Sequence, residues 1–101
     1  MRLLTVPVQS PVMQAGLAGA LDLRSGCASL VRDSGRVTLV WAGEAREEGG
    51  AVIFQGLRLG QGERTRLGGG FVEPSAYPGL GARASELGCA PPFFLVQTVE
   101  P

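Results

Sequence analysis

Cys27 and Cys89 are the only cysteines in the chain, and the first chemistry they offer is a disulfide. Cys27 opens one apolar run and Cys89 stands just before another, so two strand ends that adjoin would bring them together. Closing a loop of about 60 residues would stabilise the fold by about 4 kcal/mol on a chain-entropy account. The other reading is a pair of buried free thiols that pack as small hydrophobes. Two cysteines without histidine do not make a structural zinc site, and they lack the C-x-x-C spacing of a redox pair.

Other catalytic chemistry is poorly supplied. The chain contains no histidine and no lysine. That removes Ser–His, Cys–His and Ser–Lys nucleophiles, Schiff-base lysines and the phosphate-loop lysine. Gly68-Gly69-Gly70 is therefore read as a turn or a tight barrel corner, not as a phosphate cradle. Glu44, Glu47 and Glu48 share one loop, with Glu63 and Glu73 elsewhere. Acid–base work needs two carboxylates facing each other in a cleft, which a domain of this size seldom provides. No Asp/Asn-rich spacing for calcium is present. The expectation is a protein that is not an enzyme and has no metal and no cofactor.

Binding chemistry is better represented. Trp41 ends a strand-like run and offers a ring for stacking, or else caps the core at its rim. Arg58, Arg64 and Arg66 form the best basic cluster, and the spacing of two puts Arg64 and Arg66 on one strand face. Arg32 and Arg36 flank the turn at Asp33. Together with Trp41 these arginines would suit a single-stranded nucleic acid. The formal net charge is zero, however, whereas nucleic-acid affinity rests on a basic excess. The expectation is a non-catalytic binding or interaction module, with Trp41, Arg58, Arg64 and Arg66 as ligand-binding residues. A protein partner or a second copy of the chain is preferred as its occupant; an OB-like domain binding single-stranded nucleic acid is the alternative.

These residues need elements to hold them. Leu21 and Leu23 alternate with Asp22 and Arg24, the pattern of a half-buried strand. Cys27 to Arg32 and Val37 to Trp41 read as two strands of a hairpin around Asp33-Ser34-Gly35. Residues 42–50 read as a loop. Ala51 to Phe54 reads as a strand that continues over Leu57-Arg58-Leu59 past a bulge at Gly56. Arg64 to Leu67 and Phe71-Val72 flank the triple glycine. Phe54 and Phe71 are expected in the core. Residues 73–92 are irregular, with a helical turn over Ala82–Leu87. Phe93 to Val99 is a buried strand, and its two Phe point to opposite faces.

The chain has 101 residues, 45% of them hydrophobic. The reading is one all-β domain over residues 19–101: a five- or six-stranded, mostly antiparallel, OB-like barrel, with a small β-sandwich or SH3-like barrel as alternatives. Residues 1–18 are expected to form a partly extended N-terminal arm. No run of about 18 apolar residues is present, so no membrane span is expected. Pro7, Gln9, Ser10, Pro11 and Gln14 interrupt the apolar stretch that a signal peptide would need. A Cys27–Cys89 disulfide would favour an extracytoplasmic site, so the compartment stays open.

The succession Gly26-Cys27, Asp33-Ser34-Gly35, Leu39-Val40-Trp41, Leu67-Gly68-Gly69-Gly70, Gly88-Cys89 and Phe94-Leu95-Val96 resembles a group of small uncharacterised proteins from high-GC bacteria. The similarity spans about residues 19–99. It implies a short β-rich domain and a relation between Cys27 and Cys89. It implies no catalytic residue.

Overall fold

The computed structural model describes residues 3–8, 14–24 and 26–100. Residues 1–2 and 9–13 of the expected arm, and Ser25, lie outside the described residues. The strands are β1 (Leu4–Val6), β2 (Ala15–Asp22), β3 (Ser29–Arg32), β4 (Gly35–Ala42), β5 (Ala45–Glu48), β6 (Ala51–Phe54), β7 (Leu57–Leu59), β8 (Arg64–Val72) and β9 (Phe93–Glu100). Between β8 and β9 lie a single 3-10 turn (Pro74–Ala76) and, as the one α-helix among the described residues, α1 (Leu80–Leu87).

Five of these strands pair in a closed circuit. β2, β3 and β4 follow one another antiparallel, and β8 pairs antiparallel with both β2 and β9. β9 then returns to β4 in parallel, with Thr38 opposite Phe93 and Trp41 opposite Val96. Closure leaves these strands no open edge along the paired lengths. The fold is thus all-β and barrel-like. β1 adds to β4 in parallel beyond the end of β3. β5, β6 and β7 form a separate three-stranded antiparallel sheet.

Two apolar clusters follow from the strand period of two. Along β4, Val37, Leu39 and Trp41 point into the barrel, where they meet Leu17, Leu21, Leu30, Leu67, Phe94 and Val96. Val52, Phe54 and Leu59 of the small sheet belong to the same cluster and cover Trp41. The alternate residues, Val40 and Ala42 of β4 with Phe93 and Leu95 of β9, point outward. They are covered by Leu4 and Val6 of β1 and by Leu80 and Ala84 of α1. From Val37 onward β4 is buried on both faces, as is the first half of β9, which is why Leu39–Ala42 and Phe93–Val96 read as unbroken apolar runs. Phe93 and Phe94 do point opposite ways, and Phe93 is covered by the N-terminal strand and α1.

Glycine sets the limits of α1. Gly79 before it and Gly88 after it both have left-handed φ angles, 78° and 71°, and the Gly88 N–H donates back to the Ala84 and Ser85 carbonyls. The disulfide forms: Cys27 and Cys89 are bonded, with Cα atoms 5.7 Å apart across 62 residues. It ties the β2–β3 connection to the residue that follows Gly88, and so holds α1 against the barrel.

Three local expectations are corrected. Within the expected loop at 42–50, residues 45–48 form β5, because Gly49 and Gly50, at φ 58° and 79°, turn the chain back so that Glu48 faces Ala51. Gln55-Gly56 is not a bulge but a second tight turn, with φ 53° and 77°, that sets Phe54 opposite Leu57. Gly68-Gly69-Gly70 lies inside the continuous strand β8, where the register with β9 shifts between Gly68 and Gly69.

Candidate binding site

The outward faces of β2 and β8 carry small and basic side chains side by side. Ala18 pairs with Arg66 and Ala20 with Arg64. Leu17, Leu21 and Leu67 point inward, so Ala18 and Ala20 of β2 and Arg64 and Arg66 of β8 face out. Ala18, Gly19 and Ala20 have too little side chain to fill the space beside the two arginines. The result is an open hollow of about 830 Å³, lined also by Val31, Arg32 and Asp33 at the end of β3 and by Glu100 of β9.

Charge pairing singles this hollow out. Arg36 donates to Asp22 at 2.6 Å, and Arg24 lies 3.7 Å from the same carboxylate. Arg46 pairs with Glu48, Arg58 donates to the Glu48 carbonyl and Arg83 to the Thr5 carbonyl. Among the described residues, the arginines with no hydrogen bond or ion pair are Arg32, Arg64 and Arg66. All three line the hollow. Arg32 instead lays its guanidinium over Phe71, 6.0 Å from the ring centroid, and its Nε is buried without a partner.

The structure separates the four residues expected to bind a ligand. Arg64 and Arg66 stand together. Arg58 sits on β7 in the small sheet and does not line the hollow. Trp41 is 0% exposed, 5.1 Å from Phe54 in an edge-on contact, and offers no free face for stacking. It continues the inward row from Val37 and Leu39, and the small sheet closes over it. The exposed aromatic residue is Phe71, expected in the core but 51% exposed. Its ring stands edge-on to buried Phe94 at 5.2 Å. Sequence reasoning missed Phe71 and Arg32 as a pair. The signal lay in Phe71 closing a glycine-rich stretch, where few neighbouring side chains are available to cover a ring.

Beside the hollow, Asp22 links β2 to β4. The hydrogen bond from Arg36, helped by the Arg24 backbone N–H, holds its carboxyl below the ordinary value. The stability that this contributes is complete above the ordinary carboxylate range and is lost as pH falls through the lowered folded-state value. Asp22→Asn is expected to flatten the acid limb of the stability curve and to leave the alkaline limb alone. Urea titrations across the acid range check this, and an unchanged acid limb would show that the pair contributes nothing.

Among the described residues, no three Cys, Asp or Glu side chains gather to hold a metal ion. No described helix is long and apolar enough to cross a membrane. No family model, curated protein or solved structure matches the chain.

Proposed function

We propose that this protein is a non-catalytic binding module whose working face is the arginine hollow on β2, β3 and β8. A single observation carries this reading. Every other described arginine makes a hydrogen bond or ion pair within the fold, while Arg32, Arg64 and Arg66 make neither and line one open hollow. Unpaired guanidinium groups present forked donors that suit carboxylate or phosphate oxygens. The circuit β2-β3-β4-β9-β8, closed by a parallel β4–β9 pair, also supports reading the barrel as OB-like. The disulfide favours an oxidising, extracytoplasmic compartment.

A protein segment with acidic side chains is the occupant that we favour. Asp33 and Glu100 line the same hollow. A nucleic acid carries a charge on every phosphate and would meet both carboxylates, whereas a peptide can set neutral residues there. The test is an amide chemical-shift titration of the whole chain with a blocked six-residue peptide of alternating glutamate and serine and, separately, with oligothymidylate. The expected result is shifts at residues 18–20, 31–33 and 64–66 with the peptide. Arg64→Gln/Arg66→Gln should weaken its binding at least about tenfold, since two charge-assisted hydrogen-bonding groups are lost. Stronger, salt-sensitive binding of oligothymidylate would replace this reading with the nucleic-acid one. Shifts elsewhere, or none with either probe, would overturn the site.

A further inference from the structure

We infer that the hollow and Phe71 are adjoining subsites for one ligand: an extended segment of a partner protein with an acidic residue two positions from an apolar one. This rests on the reading of the hollow given above and names what else its ligand must carry.

Phe71 is the first observation. A phenyl ring 51% exposed leaves apolar surface in water, which is unfavourable unless something covers it. Its edge-on packing against Phe94 and its place in paired β8 fix the ring where it stands. The second observation is what lies beside it. A further hollow of about 400 Å³ is lined by Phe71, Val72, Glu73, Pro91, Pro92 and Phe93. All but one of these are apolar, so the space suits an aliphatic side chain.

Arg32 joins the two hollows. It lines the basic one, and its guanidinium carbon is 6.0 Å from the Phe71 centroid. In an extended peptide, alternate side chains point the same way at a separation of about 6.6 Å. A peptide whose carboxylate is held by Arg32 and which runs toward Phe71 brings the second residue along within reach of the ring's exposed part. Arg64 and Arg66 would take further carboxylates on the acidic side. Glu73 borders the apolar hollow, which again disfavours a ligand charged at every step.

The experiment uses the whole chain and two blocked octapeptides on a Gly/Ser background. One has a glutamate two positions before a leucine, and the other has serine in place of the leucine. The leucine peptide is expected to bind about tenfold more tightly, the effect of burying much of one aliphatic side chain. Phe71→Ser should abolish that difference. Phe71→Leu, which keeps an apolar surface, should retain most of the difference. Arg32→Gln should weaken both peptides. Equal affinities unaltered by either Phe71 variant would overturn the apolar subsite and leave the arginine hollow standing. If neither peptide bound at millimolar concentration, both this inference and the hollow's preference for acidic peptides would fall.

Discussion

Gly69→Ala is expected to destabilise the fold by more than about 4 kcal/mol and to leave little folded protein. Gly69 sits in β8 where the register with β9 shifts, and its φ is 155°. A Cβ built there overlaps the carbonyl oxygen of Leu95 and comes within 3.0 Å of its carbonyl carbon and 3.3 Å of the Gln97 nitrogen. All three are backbone atoms of the neighbouring strand, so no side chain can swing aside to relieve the overlap. Relief requires β8 and β9 to separate, and that opens the barrel circuit. Gly16→Ala on β2 is the matched control. A Cβ there meets nothing within 4 Å, and the change should be neutral or stabilising by up to about 1 kcal/mol. Urea unfolding followed by circular dichroism measures both. A Gly69→Ala protein about as stable as the parent would show that the β8–β9 pairing can slip at this point.

Cys27→Ala/Cys89→Ala is expected to lose about 4 kcal/mol, by the chain entropy that a 62-residue crosslink removes from the unfolded state. The loss should also be uneven. Leu80 and Ala84 hold α1 to the outer faces of β4 and β9, and beyond them the disulfide and the Arg83–Thr5 bond anchor it. The interior cluster contains no residue of α1. Hydrogen exchange on the double variant should show amides of α1 and β1 losing protection at milder conditions than those of β3 and β4. A uniform loss across the chain would show instead that helix and barrel open as a single unit.

Much of this fold is legible in the residues. The Val37–Trp41 and Phe93–Val99 runs announce buried strands, Asp33-Ser34-Gly35 announces the hairpin that pairs the first of them with β3, and the cysteines meet. What was hidden depends on partners distant in sequence. β2 begins at Ala15, inside a stretch of Gly and Ala whose side chains carry too little apolar contrast to show a period; its pairing with β8 decides the matter. β5 is a strand of exposed charged residues, which no apolar alternation could reveal, and it exists because β6 folds back upon it. Trp41, expected as a stacking ring or a rim cap, is fully buried, and Phe71, expected in the core, is exposed, for one shared reason. Burial of a ring at a strand end depends on which other element arrives to cover it, and the small sheet reaches Trp41 but not Phe71.

The parallel pairing of β4 with β9 also shapes how the chain must be made. Thr38–Trp41 meet Phe93–Val96, so the barrel cannot close until residue 96 has left the ribosome. Until then β4 presents an open edge with Val40 and Trp41 unburied on its two sides, a template for pairing with another nascent chain. The hairpin of β3 and β4 and the small sheet that follows are local and can form early, which shields one side of that edge while the rest is synthesised.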